Sequence, residues 1–257
     1  MSQRAIYLFL TASLILTIIL FLPIISLIVS TSPEEYVQAA TNMEVLLAIF
    51  LSILSATIAT IMAIILGVPF AYILARYEFA GRSIIEEMLD LPIMLPHTVA
   101  GIALLSLFGP RALIGSALAN IGVYFVDTLL GIVLAQFFVS APLLIKSALA
   151  SFRSIDISLV KVARSLGGSQ IRVFLDIELP LAMRGIGAGT VMCWMRAVSE
   201  FGAVIILAYY PMTAPILIYV RFTTQGLSAS RPIAALMLIV TLIMFVVLKY
   251  LSNPRRH

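Results

Sequence analysis

Two charged residues, Arg196 and Glu200, stand in a stretch that is otherwise apolar from Gly185 to Leu207. Their spacing of four puts them on one face of a helix, where a guanidinium and a carboxylate can pair. An isolated charge at the middle of a bilayer costs about 2.5–3.5 kcal/mol even on a lenient scale, so both must face protein or water. Two roles follow from that. They can pair with each other or a neighbouring helix and hold the bundle, or Arg196 can line the path of an anion or form part of a gate. Arg before Glu is the weaker order for such a pair, which leaves a partner on another subunit open. His97 follows Pro96 at a helix start, where a hydrogen-bonded structural histidine is the simpler reading than a ligand. Cys193 is the single cysteine and excludes disulfides, cysteine zinc sites and iron–sulfur clusters. The 11 methionines are scattered, as packing residues are, and do not trace a copper path. No Ser/His/Asp set, H-E-x-x-H or pair of intramembrane aspartates occurs, which argues against an intramembrane protease. No G-x-x-x-x-G-K-[ST] occurs either, so the chain cannot cradle ATP phosphates itself.

Composition dictates what surrounds these residues. With 62% apolar residues, 11% charged and a mean hydropathy of +1.13, the chain has more apolar surface than a soluble domain of 257 residues could bury. Lipid must cover the remainder. The length suits one all-α bundle of about six spans of ~20 residues, with nothing left for a soluble catalytic domain. The net charge of +4 does not point to nucleic acid, because no Lys/Arg-rich run exists and the basic residues punctuate the ends of apolar segments.

Six spans are expected. Ala5–Pro33 is charge-free and longer than the ~7–15 apolar residues of a signal peptide, so it stays in the membrane. Val45–Ala75 is too long for the hydrocarbon core unless it tilts or projects, and Gly67 and Pro69 are expected to bend or end it. Leu91–Pro110 should break at Pro92–Pro96, leaving Pro96–Phe108 as its spanning piece. Gly115, Asn120 and Gly122 interrupt Arg111–Val126 too often for a span, whereas Thr128–Ile145 is clean. The fifth span runs from Leu181 to Leu207 with Arg196 and Glu200 inside it, and Tyr209, Tyr210 and Pro211 supply an interfacial aromatic pair and a stop. Pro232–Leu248 is the sixth. With the N-terminus in the cytoplasm, every Lys and Arg outside the spans except Arg111, Arg221 and Arg231 falls inside, so both termini are expected to be cytoplasmic. Residues 1–44 then form a first transmembrane helix and external loop, and 45–257 the core.

The sizeable hydrophilic segment, at about 151–180, falls on the cytoplasmic side. Ile155, Leu159, Val162, Ala163 and Leu166 have near-helical spacing, Asp156 or Ser158 can serve the helix start, and Gly167–Gly168 permits the left-handed turn that ends a helix. A second short helix restarts at Ser169, sets Ile171, Phe174, Leu175 and Leu179 on one side, and is closed by Pro180. Such a hairpin either packs on its own bundle or sits in a groove on another protein.

The run Val162-Ala163-Arg164-x-Leu166-Gly167, followed by Phe174 and Leu179-Pro180, resembles the EAA loop of permease subunits of type I ATP-binding-cassette importers. Asp90–Gly109 (DLPIMLPHTVAGIALLSLFG) and Ser199–Tyr219 (SEFGAVIILAYYPMTAPILIY) resemble the molybdate/tungstate branch of that family. The glutamate and first alanine that give the loop its name are Lys161 and Val162 here. The resemblance therefore assigns docking on an ATPase subunit to Ala163, Arg164, Ser165, Leu166 and Gly167, and not to Lys161. It further implies a permease without a cofactor of its own in a cell membrane. Its implied partners are a second permease copy, two ATPase subunits holding ATP and Mg, and an external binding protein that delivers molybdate or tungstate. Sulfate permeases, gradient-driven secondary transporters and non-transporting membrane scaffolds are the alternatives. A secondary transporter should show broken helices repeated in two halves, and no such internal repeat is visible.

Overall fold

The computed structural model describes residues 3–251, which place Arg255 and Arg256 of the charge pattern outside the described region. Among the described residues there is no strand. The helices in order are α1 (Gln3–Val29), α2 (Pro33–Thr41), α3 (Met43–Arg76), α4 (Arg82–Met88), α5 (Leu91–Met94), α6 (His97–Phe108), α7 (Leu113–Ala119) and α8 (Leu129–Ser154). Then follow α9 (Ile157–Ser165), α10 (Gln170–Val173), a π turn (Phe174–Glu178), α11 (Leu179–Val198), α12 (Gly202–Leu207), α13 (Ala214–Gln225) and α14 (Leu227–Leu251).

Four helices, α1, α3, α8 and α14, are long and apolar enough to cross a membrane, and α4–α5 with α6, bent by 112°, meets the same test only when the pair is taken as one broken span. Proline drives that bend: neither Pro92 nor Pro96 can donate to a helical ladder, and Leu95, which precedes Pro96, is extended (φ −65°, ψ 136°). The 20 residues of α11 span about 30 Å, so it can form the sixth crossing although it is less apolar.

The centre of the bundle is α3, α8 and α11. Small residues let α11 lie against α8: a Cβ at Gly185 would stand 1.6 Å from Ser151 Oγ, and Ser147 Oγ donates to the Gly185 carbonyl at 2.7 Å. Around this contact Leu74, Leu144, Ala148, Phe152, Ala182 and Ile186 form a closed core. Several polar groups within the bundle pair across helices. Trp194 Nε1 donates to Thr57 Oγ1 (3.1 Å), and the Ala214 N–H donates to Ser52 Oγ (2.8 Å). In lipid an unpaired group has no water to turn to, so such pairs fix how the helices register.

Four expectations need correction. α3 runs unbroken through Gly67 and Pro69 to Arg76, because the packing of α8 along this stretch supports the turn that loses the Pro69 N–H bond. Residues 33–41, expected in an external loop, form α2, whose capping box reads directly from Ser32-Pro33-Glu34-Glu35. The Glu35 N–H donates to Ser32 Oγ, and the Ser32 N–H donates to Glu35 Oε2 at 2.7 Å. The Ser32 N–H, with Arg231 at 3.0 Å, holds the Glu35 carboxyl below the usual carboxylate range. The fifth span does not reach Leu207: it stops at Val198, and Glu200 lies in a break before α12. Nor does Pro180 close the second loop helix. It sits in the first turn of α11, and the ladder widens just upstream, with the Leu179 N–H bonding to the Phe174 carbonyl five residues back. A π turn there makes room for a residue that cannot donate.

Candidate functional site

The break at Ser199–Phe201 gathers the intramembrane charges. Arg196 is in the last turn of α11, and its Nη2 donates to Glu200 Oε2 at 2.6 Å. The other carboxylate oxygen, Oε1, accepts the Ala203 N–H at 2.7 Å and so caps α12. That side-chain cap competes with the helical ladder and explains why the helix stops where sequence periodicity continues. His97, the first residue of α6, brings its imidazole to 2.9 Å from Arg196 Nη2 and 3.5 Å from Glu200 Oε2. α6 and α12 then run side by side, sealed by Ala100, Leu104, Ala203, Val204 and Leu207. Glu200 is 1% exposed, while Arg196 and His97 are 25% and 46% exposed. The pairing of Arg196 with Glu200 is within the chain, and His97 is the third member of the cluster. The cluster is thus buried on its anionic side and open on its cationic side.

The hydrophilic segment around α9 and α10 has a different character. Asp156 caps α9 by accepting the Ser158 N–H at 2.8 Å, and this bond keeps its carboxyl below the ordinary range. Gly167 takes the left-handed conformation (φ +91°) and Ser169 caps α10, as the spacing implies. The apolar face of α9 does not fold back on the bundle: Leu159, Val162 and Leu166 are exposed, Leu166 by 84%. Arg164, Ser165 and Gly167 are exposed beside it, and Ala163 is half-buried. This apolar ridge on a short helix is left uncovered by the described residues of the chain.

Sequence reasoning passed over a further group at the root of this segment. Glu178, the last residue of the π turn, is fully buried. Its Oε1 accepts from Arg76 Nε (2.5 Å) and its Oε2 from the Tyr72 hydroxyl (2.8 Å), both on α3. The acidic residue before Leu179-Pro180 was visible, but its partners lie more than a hundred positions away.

Residues 67–257 match the family of binding-protein-dependent transport system inner membrane components, and the chain belongs to that family. It is similar to the molybdate/tungstate transport system permease protein WtpB of Thermococcus kodakarensis, with 42% identity over 86% of this chain and 85% of the relative. It also resembles the sulfate transport system permease protein CysT of Salmonella typhimurium, at 30% identity over 91% and 87% of the two chains. Among solved structures, a bacterial ABC transporter involved in the import of the acidic polysaccharide alginate has the same fold, with a TM-score of 0.74 at 19% identity over 95% of this chain and 94% of that one.

Proposed function

We propose that this chain passes molybdate or tungstate into the cytoplasm as one of two identical permease subunits of an ATP-driven importer. The observation that carries the reading is the water-exposed apolar ridge of α9, ended by a left-handed glycine, on a chain whose relative at 42% identity is named for molybdate and tungstate transport. Two ATPase subunits, binding ATP and Mg, each receive one α9 in a surface cleft through Ala163, Arg164, Ser165, Leu166 and Gly167. An external binding protein delivers the anion at the opposite end, beside α2 and the Glu35–Arg231 and Glu44–Arg221 pairs. Both termini face the cytoplasm, residues 1–44 form the peripheral first helix with its external segment, and 45–257 form the transporting core.

Closure of the ATPase dimer swings α9, and the permease alternates between inward and outward access. Arg196 and Glu200 act as the gate. Glu200 neutralises Arg196 at rest and is itself held by the Ala203 N–H, so an arriving dianion can draw on the exposed side of Arg196 without dislodging the carboxylate. His97 steers the guanidinium. The permease contributes no bond-breaking step; it supplies a charge-balanced constriction inside the bilayer.

Proteoliposomes holding this chain with its ATPase and binding protein should take up labelled molybdate or tungstate when ATP meets the ATPase face. Equal uptake under a sodium or proton gradient without ATP would overturn the importer, and preference for sulfate would move the substrate to that branch. Arg196→Lys keeps the charge and loses the planar fork, so uptake should fall about tenfold at an unchanged unfolding temperature. Wild-type uptake in that variant would return the cluster to a purely structural role.

A further inference from the structure

The loop helix proposed to meet the ATPase leads, through Gly167–Ser169, into one continuous helical body whose far end carries Arg196 of the proposed gate. From Gln170 the chain is helical through α10, the π turn and α11 to Val198, a rod of 29 positions, about 43 Å long. One end adjoins Gly167–Ser169, where α9 enters; the other carries Arg196. A rod can convert a push at one end into a displacement at the other only if something fixes the point about which it turns. Resting on the importer reading above, we propose that Glu178 is that fixed point: a positioning residue that pins the rod to α3 and makes ATP hydrolysis productive.

Three observations carry the assignment. The first is satisfaction. A fully buried carboxylate is tolerated only when its charge is paired and its oxygens bonded, and here each oxygen has its own donor, Arg76 Nε and the Tyr72 hydroxyl. The second is aim. The π turn interrupts the regular register at Phe174–Glu178 and ends on Glu178, while Asp176, two residues earlier, is exposed. The third is contrast with the loop next to it. Around the pin the contacts are dense: the Tyr72 ring packs on Phe174 (4.6 Å between centroids) and Phe152 (5.3 Å), and Gln170 of the rod bonds the Tyr77 hydroxyl just past the end of α3. α9 is held much more loosely. It packs mainly on α10, and a cleft of about 160 Å³, lined by Arg76, Val160, Arg164 and Glu178 among others, separates it from the pin. A mobile helix feeding a locked hinge is the arrangement that transmits a push, since packed interfaces switch between discrete states and do not yield gradually.

The test measures anion moved per ATP hydrolysed in the complete reconstituted complex with labelled molybdate. Glu178→Ala should leave ATPase association and hydrolysis near wild type while the ratio falls about tenfold, and Glu178→Gln, which keeps the Tyr72 bond, should lose a few-fold. A structural role alone would lower uptake and hydrolysis together, in proportion to the folded complex. To separate pinning from folding within one protein, Arg76→Cys with Glu178→Cys on a Cys193→Ser background should regain most of the ratio when bridged by a short thiol crosslinker. An unchanged ratio in Glu178→Ala, parallel loss of uptake and hydrolysis, or no gain on bridging overturns the pin. No ATP-driven uptake by the wild-type complex would instead defeat the importer reading and the pin with it.

Discussion

α11 begins and ends at an ion pair between an arginine and a buried glutamate, and the two pairs are built differently. At the end that follows α10, Glu178 is buried, with Arg76 only 11% exposed and both carboxylate oxygens bonded to α3. At the far end Glu200 is equally buried, but it caps its own chain, and its arginine and the adjoining His97 stay open to the space beside the helix. The Glu178 pair joins two helices across 102 positions, whereas the Glu200 pair joins two residues of one segment and borrows a histidine from another. The first arrangement can transmit force but admits no solute; the second can meet a solute but gives little grip between helices. In the proposed mechanism, charge pairs of the same chemistry take the parts of joint and gate according to which partner remains exposed.

The largest effect expected tests the asymmetry of the Glu200 pair. Arg196→Leu strands a buried carboxylate and should lower stability by about 3 kcal/mol, whereas Glu200→Gln keeps an acceptor for the Ala203 N–H and leaves Arg196 room to reach water, costing about 1 kcal/mol. Unfolding in detergent gives both numbers, and equal losses would mean that the Glu200 cluster is as closed as the Glu178 one. Between the two clusters, Gly185→Leu forces α11 off Ser151 and should cost about 2–3 kcal/mol. Because one rod carries both clusters, crosslinking yields at its two ends should fall together; loss at one end only would show that the rod flexes in the middle.

Smaller effects are expected in the loop. Gly167→Val must place a β-branched residue at φ +91°, a strain of about 1–2 kcal/mol, with open space around it and so no clash. The spans should insert and fold normally while ATPase association weakens and uptake is lost, and Ala163→Trp should do the same by obstructing the docked face. Crosslinks from Ser165→Cys or Ser169→Cys should reach the ATPase; crosslinks confined to the permease would make the loop a packing element. The smallest effect concerns Asp156. Its pKa is depressed by the Ser158 N–H, so its contribution to α9 is fully present above the unfolded value near 4 and disappears as pH falls through the lower folded value. Hydrogen exchange of α9 should therefore quicken in acid before the core of α3, α8 and α11 responds, and Asp156→Asn should flatten that dependence.

Much of the molecule is decided within one or two helical turns and is legible in the chain. Charge-free runs of span length, the Pro92–Pro96 bend, the Asp156 and Ser169 caps and the Gly167 turn all depend on neighbours a few residues away. The exposed apolar face of α9 is legible as a pattern, though only the fold reveals that nothing in the described bundle covers it. Where local rules mislead, a contact or an alternative bond has outvoted them. Pro69 does not end α3 because α8 supports it, Pro180 does not end the loop helix because a π turn absorbs it, and Leu181–Leu207 is not one span because Glu200 turns back to cap α12. From the chain alone it follows that lipid is the solvent, that the charges at Arg196 and Glu200 need partners, and that a short helix with an apolar stripe follows Asp156. The partners come from the fold: His97 beside Arg196, the Ala203 N–H on Glu200, and Arg76 and Tyr72 on Glu178, whose need the chain alone does not announce. The reason is that a buried charge satisfies its need across whichever helix packing brings within about 3 Å, and packing is a property of the whole bundle.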